Sequence, residues 1–524
     1  MKRLKEQESM NNIKENTETT ADKNSTGTRQ PTKRMKKRRK RNREFMRVTW
    51  VFISMFLILC GYLVYFNVFK AEEINTNVYN TKQNDRKGDI QRGQILSADG
   101  EILAATTYDA EGTEQRVYPY GRIFSHVVGY YVNGKSGIEA KCDYDLTDSH
   151  ISFLDQLEAA AKGQKVPGDN VYLTLDTNLQ QAAYNALGAY NGAVVIMEAS
   201  TGKILAMVSK PDFDPGSIAE NWEILTADDA GSPLLNRATQ GLYPPGSTFK
   251  ILTTLAFMRQ NPGYQDYVYD CVGYISKEDA TITCYNGEAH GWEDLKSSFA
   301  HSCNSSFCNI GLELDNQNFI ALCNDFGFNN SLPISYLEYS RSQFNLKSNS
   351  SYGEEMATAI GQGETLVSPM HMAMIVSAVA NGGNMMAPYV IDHIQTAQGE
   401  AVKETTPNIY KQVMSADEAG VLTEYMRETV LSGTAKMLYN DTYSCAGKTG
   451  SAEYDNGQWQ GTHSWFVGFT NVDNPDLVIS VLVEDGGSGS SAAVPIAKQI
   501  LDSYYYNYDN YYGQSTYYSD GYGY

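Results

Sequence analysis

The stretch LYPPGSTFKILTTLAFM, residues 242–258, decides the fold. Its Pro-Pro-Gly ends the preceding element, and the residues after it have the apolar spacing of a helix that begins near Ser247. Ser247 and Lys250 are three residues apart, so this helix would place both side chains on one face. An amine beside a hydroxyl can serve as its base when burial lowers the pKa of the amine. Alone, this S-x-x-K spacing is weak evidence, because a serine cap followed by a lysine occurs in many ordinary helices.

Two further motifs follow along the chain. The first is HSCN, residues 301–304, in which Ser302 offers a hydroxyl to pass a proton and Asn304 an amide to hold a peptide group. The second is AGKTGSAE, residues 446–453, a glycine-framed strand that carries one cation and two hydroxyls. Its GKTGS core is also compatible with a phosphate-binding loop. That motif requires a glycine at position 442, where this chain has threonine, so we reject the nucleotide-binding alternative.

The three motifs in this order are a stronger signal than any one of them, because S-x-x-K, S-D-N and K-T-G together mark class A β-lactamases and penicillin-binding proteins. The chain resembles the penicillin-binding proteins, specifically the monofunctional class B transpeptidases. The resemblance covers most of the chain after its apolar segment. The other segments that carry it are RGQI (92–95), SGIE (136–139), LTLDTNLQ (173–180), IGQGETLVSPMHMA (360–373) and HSWFVGF (463–469).

The resemblance implies an α+β fold similar to that of serine β-lactamases, with a central antiparallel sheet flanked by helices. The residue pattern agrees, since strand-like segments lie on both sides of a mostly helical stretch between Asn236 and Gly363. We expect five parts. They are a basic disordered cytoplasmic tail (1–47), a transmembrane anchor (48–69), a β-rich pedestal or dimerisation-like module (70–168), a transpeptidase domain (169–503) and a tyrosine-rich low-complexity tail (504–524).

The resemblance also implies a reaction. In that family a serine attacks the carbonyl of the penultimate D-Ala of a peptidoglycan stem peptide, the terminal D-Ala leaves, and an amine of a neighbouring stem peptide resolves the ester as a new cross-link. Carried over by position, Ser247 is the nucleophile, Lys250 is its base, and Ser302 relays the proton toward the leaving amine. The family uses no cofactor and no metal ion in this reaction, and β-lactams acylate the same serine.

Substrate-binding roles follow from the same resemblance. Asn304 would hold the amide of the donor peptide, and Lys448 would supply positive potential for its terminal carboxylate, which the hydroxyls of Thr449 and Ser451 would bind. The main-chain N–H groups of Ser247 and Ser451 would form the oxyanion hole. The substrate-binding set is therefore Asn304, Lys448, Thr449, Gly450 and Ser451. The walls and supports of the cleft are expected from Gln362, Gly363, His463 and Trp465.

Three other activities and one inactive role compete with this interpretation. A β-lactamase must activate water for rapid deacylation, and no motif here specifies a deacylating glutamate. A D,D-carboxypeptidase uses water as the acceptor, and the sequence leaves that side activity open. A penicillin sensor would need a cytoplasmic effector, whereas the head of this chain is short. An inactive scaffold belongs to a different class, and the intact set of motif residues argues against it.

The charge of the chain is unevenly distributed. The net charge of the 524 residues is −19, yet residues 1–47 hold 16 Lys and Arg against 6 Asp and Glu, a net +10, so the remainder carries −29. Residues 48–69 are an uncharged apolar run that is long enough for a helix to cross a bilayer. Ten basic residues lie directly before this run, so the positive-inside bias keeps the N-terminus in the cytoplasm and exports the body.

No cleavage site of the A-x-A type follows Phe69, so we expect an uncleaved anchor rather than a signal peptide. The basic run adjoins the membrane segment, and we therefore expect no nucleic-acid partner. The predicted location is the cell membrane, with a single pass and the catalytic domain outside.

Eight cysteines remain to be placed, and Cys60 lies within the apolar run. Because an oxidising exterior favours pairing, Cys271 and Cys284, in a stretch rich in Gly and Tyr, are the predicted disulfide. No C-x-x-C pair occurs and the seven histidines are scattered, so we expect no metal site. Cys303 is expected to be packed within its motif, and the other cysteines to be buried free thiols.

The resemblance also implies partners. Residues 70–168 are too few for the glycosyltransferase domain of bifunctional relatives. Glycan polymerisation would then come from a polytopic membrane glycosyltransferase of the shape, elongation, division or sporulation type, which would contact the anchor and the N-terminal module. Peptidoglycan stem peptides are the expected substrates and β-lactams the expected inhibitors.

Overall fold

A computed structural model of the chain describes residues 33–69, 90–229, 231–455 and 460–512. The chain forms two compact units, of which the first holds the N-terminal helix and the second holds the other elements. Three predicted segments lie outside the described residues. They are residues 1–32 of the basic tail, residues 70–89 at the start of the pedestal module, and residues 513–524 at the end of the tyrosine-rich tail.

The elements are numbered in chain order. The α-helices are α1 (Lys33–Phe69), α2 (Ser125–Val128), α3 (Gly137–Lys141), α4 (Asp143–Thr147), α5 (Phe153–Ala161), α6 (Thr177–Leu187), α7 (Ile218–Ala227), α8 (Lys250–Gln260), α9 (Leu295–Ala300), α10 (Asn304–Glu313), α11 (Asn316–Asp325), α12 (Tyr352–Ala359), α13 (Pro369–Ala380), α14 (Ala416–Leu431) and α15 (Ala493–Tyr512). The strands are β1 (Ile90–Gln91), β2 (Ile95–Leu96), β3 (Ile102–Tyr108), β4 (Glu114–Val117), β5 (Val166–Pro167), β6 (Asn170–Leu173), β7 (Gly192–Glu198), β8 (Ile204–Lys210), β9 (Val268–Cys271), β10 (Tyr274–Lys277), β11 (Ala280–Thr283), β12 (Gly291–Asp294), β13 (Asn384–Met386), β14 (Ile391–Gln395), β15 (Ala401–Glu404), β16 (Ile409–Gln412), β17 (Cys445–Asp455), β18 (Gln460–Thr470) and β19 (Leu477–Val483).

The N-terminal unit contains the long helix α1. Its segment Arg43–Phe66 is long and apolar enough to cross a membrane, and none of this segment is buried within the protein. This apolar helix fits a single-pass membrane anchor. The helix begins at Lys33, so the prediction of a disordered tail is wrong for residues 33–47. Lys and Arg are good helix formers, so the basic run can continue the helix of the anchor.

The centre of the second unit is a five-stranded antiparallel sheet with the strand order β17-β18-β19-β7-β8. Strand β19 (LVISVLV) is buried along its whole length, as a strand covered on both faces must be. In β7, Val195 and Met197 face one core cluster, whereas Val194 and Ile196 face the other. Helix α13 packs on one face, and α15 packs on the sheet and against α6. The predicted antiparallel sheet flanked by helices is confirmed.

The pedestal module is not separate from the rest of the second unit. Its strands β2, β3 and β4 belong to a six-stranded sheet with the order β15-β14-β6-β2-β3-β4, in which β6, β14 and β15 come from beyond residue 168. Strands β1 and β5 form a separate parallel pair. Strand β6 pairs with β2 on one side and β14 on the other. The module also contains the short helices α2 to α5. The β-rich description is therefore right for the sheet, while the structure shows no physical break at residue 168.

Two of the segments that suggested the family meet in this module. Arg92 of RGQI bonds the buried carboxylate of Glu139 of SGIE at 2.7 Å and that of Asp143 at 2.5 Å. Arg116 bonds the other oxygen of Glu139 at 2.7 Å. Burial alone would raise the pKa of Glu139, but the two guanidinium groups outweigh burial and lower it. The two arginines lie far in sequence from the two carboxylates. These ion pairs therefore hold the segments of Arg92 and Arg116 against the helices α3 and α4.

The final helix runs further than its sequence pattern suggests. Helix α15 continues to Tyr512, so residues 504–512 of the predicted tyrosine-rich tail are helical. The hydroxyl of Tyr505 bonds the side chains of Thr470 and Asp476 at 2.7 and 2.8 Å, and its ring stacks on Tyr443. Tyrosines at helical spacing thus supply apolar faces and polar tips that the composition alone did not predict.

Candidate active site

The three sequence motifs meet in one cleft of about 560 Å³. One wall is strand β17, and the opposite wall includes the turn between α9 and α10. Ser247 lies between the two walls, at the start of the segment that leads into α8. The predicted residues that line the cleft are Ser247, Ser302, Asn304, Thr449, Ser451 and Gln362.

Glycine allows Ser247 to approach the sheet closely. The segment Gly246–Phe249 is a single 3-10 turn, and the α-helix itself begins at Lys250. Gly246 has a φ of 52°, and a side chain there would place its Cβ 2.7 Å from the main-chain oxygen of Ser451. A Cβ at Gly361 would lie 2.1 Å from the oxygen of Gly246. The glycines therefore let main chain pack directly on main chain, which brings the segment that carries Ser247 against β17.

Lys250 is fully buried and faces the turn of residues 301–304 between α9 and α10, which the sequence motifs predict to be catalytic. Its Nζ donates to the main-chain oxygen of Ser302 at 2.8 Å, to Asn304 Oδ1 at 2.9 Å and to Ser302 Oγ at 3.3 Å. Burial lowers the pKa of this amine to about 8, and nearby thiols and Glu293 raise it in part. In the part of the chain that the structure describes, no hydrogen bond joins Lys250 to the Ser247 hydroxyl. Catalytic hydrogen bonds are often long in ligand-free enzymes and tighten when substrate binds.

The turn that carries Ser302 and Asn304 is locally strained. Ser302 has a φ of 59°, in the left-handed region that non-glycine residues seldom adopt. Holding such a conformation costs about 1–3 kcal/mol, and the contacts of the turn with Lys250 help to maintain it. Cys303 caps α10 through its sulfur, which accepts from the N–H of Ser306. The Asn304 amide donates to the main-chain oxygen of Thr283 at 3.1 Å.

The β17 wall carries the second buried lysine. Lys448 is fully buried, its Nζ donates to the main-chain oxygen of Thr449 at 3.2 Å, and it lies 5.5 Å from the Phe299 ring centroid. Burial lowers the pKa of Lys448 well below its ordinary value, and Lys250 lowers it further. A carboxylate placed beside it would reverse this effect, because an opposite charge favours the ammonium form. The site is therefore prepared to become more positive when an anion binds.

Three of the expected cleft supports contact β17 or the segment that precedes Ser247. With its amide oriented to satisfy both ends, Gln362 pairs with the main-chain N–H and C=O of Glu453 at 3.0 Å each. Trp465 donates from Nε1 to the oxygen of Pro244 at 3.0 Å. His463 stacks on Tyr454 with ring centroids 4.4 Å apart, and burial lowers its pKa. These contacts support the geometry of the walls, while Lys250 remains the better candidate for the base.

Sequence reasoning missed Thr434. Its hydroxyl lies 2.5 Å from the Thr449 hydroxyl, and its main-chain N–H donates to the oxygen of Ala300. It therefore touches both walls of the cleft. Its only sequence signal is the SGT that follows helix α14, which is too common to single it out.

The cysteine predictions are wrong in two respects. Cys271 and Cys284 are free thiols with their sulfurs 3.7 Å apart, whereas a disulfide requires about 2.05 Å. The expectation that no cysteines are arranged like a metal site also fails, because Cys271, Cys284, Cys303 and His290 hold their ligand atoms within 4.8 Å of one another. Spacings in sequence did not reveal this group, because its members come together only when β9 pairs with β12 and β10 pairs with β11, which form the two hairpins of residues 268–294. Cys303 is packed, as expected.

Comparison with known proteins gives the same assignment for both parts of the second unit. Residues 192–502 match the family model of the penicillin-binding protein transpeptidase domain, and residues 92–171 match that of the penicillin-binding protein A dimerisation domain. The peptidoglycan D,D-transpeptidase PbpA of Mycolicibacterium smegmatis is 31% identical over 490 residues, which covers 88% of this chain and 98% of that relative.

Solved structures agree. Penicillin-binding protein A of M. tuberculosis, as a ceftriaxone acyl-enzyme complex, is 28% identical with a TM-score of 0.74, covering 80% of this chain and 99% of the other. The D,D-transpeptidase domain of a peptidoglycan glycosyltransferase from Eggerthella lenta is 31% identical with a TM-score of 0.71, covering 79% and 98%.

Proposed function

The chain belongs to the class B penicillin-binding proteins, and from this premise we propose that it cross-links peptidoglycan through an acyl-enzyme on Ser247. One observation carries the proposal. Ser247, Ser302, Asn304, Thr449 and Ser451 line a single cleft although they are far apart in sequence, and the buried Lys250 bonds the turn of Ser302 and Asn304.

In the first half-reaction, Ser247 Oγ attacks the carbonyl carbon of the penultimate D-Ala of a stem peptide. Neutral Lys250 accepts the hydroxyl proton, and its lowered pKa of about 8 supplies a useful neutral fraction near physiological pH. The carbonyl becomes an oxyanion, which the N–H groups of Ser247 and Ser451 would hold. The C–N bond then breaks, the terminal D-Ala leaves, and an ester remains on Ser247.

The leaving amine needs a proton, and the geometry offers a route for it. Lys250 Nζ lies 3.3 Å from Ser302 Oγ, so the proton taken from Ser247 can pass through the Ser302 hydroxyl to the departing nitrogen. In the second half-reaction the amine of another stem peptide attacks the ester, loses a proton along the same route and releases Ser247. The bond lost in the first step is thus replaced by a new amide, with no cofactor consumed.

The β17 wall would orient the donor. The carboxylate of the terminal D-Ala would lie near Lys448 and accept from the Thr449 and Ser451 hydroxyls. Thr434 holds the Thr449 hydroxyl at 2.5 Å, and the N–H of Gly489 donates to Ser451 Oγ at 3.2 Å. Asn304 would bind the donor amide from the other wall. β-Lactams carry a carboxylate and a reactive amide in a similar arrangement, so they would acylate Ser247 and inhibit the enzyme.

Location and partners extend the proposal. The basic residues that precede the apolar part of α1 favour a cytoplasmic N-terminus and an exported catalytic unit. A polytopic membrane glycosyltransferase would supply the glycan strands and contact the anchor and the pedestal module. Replacing residues 48–69 with an unrelated transmembrane helix should weaken that complex, and unchanged complex formation would count against a helix-mediated contact.

Hydrolysis of the acyl-enzyme by water would give D,D-carboxypeptidase activity as a side reaction.

A labelled penicillin tests the mechanism. The full chain in detergent should form one covalent adduct, which peptide mapping places on Ser247, and Ser247→Ala should abolish it. Ser217→Ala is the matched control, because Ser217 lies outside the cleft, and it should label normally. Labelling of Ser247→Ala at the wild-type rate would refute the nucleophile. An adduct that persists for minutes distinguishes a transpeptidase from a β-lactamase, and formation of cross-linked peptide from a stem-peptide donor and an amine acceptor distinguishes it from a carboxypeptidase.

A further inference from the structure

Three thiols and one imidazole form a compact group beside the catalytic turn. Cys271 ends β9, Cys284 follows β11, His290 precedes β12, and Cys303 is the middle residue of the S-C-N turn. The three cysteines are buried. The sulfur of Cys284 lies 3.7 Å from that of Cys271 and 3.8 Å from that of Cys303, and Cys271 Sγ lies 3.3 Å from His290 Nδ1.

We propose that Cys271, Cys284, Cys303 and His290 bind one Zn²⁺ ion and that this ion fixes the catalytic turn to the neighbouring hairpins. A tetrahedral zinc ion with Zn–S bonds of about 2.3 Å requires sulfurs about 3.8 Å apart and places its nitrogen ligand about 3.5 Å from each sulfur. The observed separations of 3.7, 3.8 and 3.3 Å match this geometry closely. A set of three thiolates and one imidazole is a common structural zinc site.

The surroundings of the sulfurs suit thiolate ligands. The Ser305 hydroxyl lies 3.0 Å from Cys271 Sγ, 3.4 Å from Cys284 Sγ and 3.5 Å from Cys303 Sγ. Main-chain N–H groups of Ser305 and Ser306 donate to the sulfurs of Cys284 and Cys303. These N–H groups belong to the first turn of α10, where the helix dipole favours negative charge. Hydrogen-bond donors that surround metal ligands in this way orient the ligands and stabilise their charge.

The segment that supplies three of the ligands has little core of its own. Within residues 267–294, all of which the structure describes, four residues are buried, namely Cys271, Gly273, Cys284 and Glu293. The large side chains of Val268, Val272, Tyr274, Tyr285 and Trp292 are exposed. Small modules that cannot bury enough apolar surface are commonly held by a metal ion or a disulfide. A disulfide would use two of the three adjacent thiols, whereas zinc uses all three together with the imidazole.

The consequence for catalysis follows from the position of Cys303. Its neighbours Ser302 and Asn304 both contact the Lys250 amine, and Ser302 holds a strained φ of 59°. A metal bond to Cys303 would therefore fix the turn that positions the proposed base and relay. Four protein ligands complete the coordination, so the ion has no open position for substrate, and these residues act as positioning residues. This part rests on the proposed function, whereas zinc binding itself does not.

Metal content tests the site directly. The full chain, purified in detergent with reductant and without chelator, should contain about one zinc per chain by plasma mass spectrometry, since four-ligand sites of this type bind zinc tightly. Cys271→Ser and His290→Ala should lower the zinc content, while Cys308→Ala, a buried cysteine outside the group, should retain it. A folded wild-type chain that contains no zinc and takes up none from zinc chloride would overturn the proposal, as would a disulfide within the group in that chain.

Cobalt substitution keeps the test independent of variants that fail to fold. Wild-type chain stripped of metal and given Co²⁺ should show the intense visible bands of a tetrahedral site and a sulfur-to-metal charge-transfer band. Zinc chloride should remove both. A cobalt spectrum typical of six oxygen ligands would contradict the site. Such a spectrum needs no β-lactam, so it separates failure of the zinc proposal from failure of the proposed function.

Acylation by labelled penicillin tests the positioning role. Stripping the metal should slow labelling of Ser247 by about ten- to a hundredfold, because small misplacements of catalytic groups have effects of that size, and zinc should restore the rate. Stoichiometric zinc with an unchanged labelling rate after stripping would overturn the positioning role. Absent labelling of the zinc-loaded chain would instead refute the proposed acyl-enzyme chemistry.

Discussion

The two walls of the cleft are held in place by different means. Strand β17 belongs to a sheet whose member β19 is buried at all seven residues, with apolar layers on both faces. On the opposite wall, only four of residues 267–294 are buried. The turn of residues 301–304 beside them is held by hydrogen bonds from Lys250 and by its contacts with buried thiols. The groups proposed to orient substrate are therefore held by packing, whereas the groups proposed to move protons are held by polar contacts. Substitutions in each wall should show whether that wall depends on apolar packing or on polar contacts.

The largest expected effect is on the proton-moving wall. Lys250→Met removes the proposed base and leaves three acceptors of the turn without their donor, and it should slow acylation by labelled penicillin by about 10²–10⁴-fold. Lys347→Met, an exposed lysine, is the control and should acylate normally. A loss below tenfold for Lys250→Met would refute its role as base.

A paired truncation compares the stability of the two walls. Phe466→Ala removes a fully buried ring from β18 and should lower the free energy of unfolding by about 3–5 kcal/mol. Trp292→Ala removes a ring that is 75% exposed and should change it by less than about 0.5 kcal/mol. Thermal melting of both variants measures the difference. Equal losses would show that the hairpin wall is held by apolar packing after all.

The substrate-orienting wall should show a specific carboxylate dependence. Lys448→Ala should reduce the second-order acylation rate by about ten- to a hundredfold, since a hydrogen bond to a charged group contributes about 1.5–3 kcal/mol. A penicillin ester, which lacks the carboxylate, should react with wild type and Lys448→Ala at similar rates. A defect of the same size with the ester would indicate that Lys448 acts on the chemical step instead.

The pH dependence should report Lys250. Burial lowers its pKa to about 8, so the neutral base predominates above that pH and the ammonium form below it. The charged or titratable groups that act on it are Cys284, Cys303, Cys308, Glu293 and Lys448. The acylation rate should therefore fall about tenfold per pH unit below pH 8 and level off above it. A rate that is constant across this range would exclude Lys250 as the titrating base.

The smallest expected effect lies where the walls meet. Thr434→Val removes the hydroxyl that holds Thr449 and should slow acylation about three- to tenfold, which corresponds to the loss of one neutral hydrogen bond. The exposed Thr442→Val is the control. An effect as large as that of Lys448→Ala would place Thr434 among the direct substrate contacts.

Much of the site was predictable because its chemistry is local in sequence. Ser247 and Lys250 are three residues apart, Ser302 and Asn304 two apart, and Lys448 to Ser451 contiguous, so each motif has a recognisable spacing. The antiparallel sheet was predictable for a similar reason, since strands such as β19 are continuous apolar runs. The boundaries were less accurate. A basic run and a tyrosine-rich run both proved helical, because neighbouring structure extended a helix through them.

The sequence by itself determined the family, the order of the parts and the residues with reactive side chains, since these depend on residue type and short spacing. Tertiary structure alone decided which distant groups meet. It placed the Lys250 amine on the turn of Ser302, brought Thr434 to Thr449, and gathered three cysteines and a histidine from two hairpins and a helix start. The reason is physical: a contact between residues far apart in the chain is fixed by the packing of whole elements, and no local pattern encodes that packing.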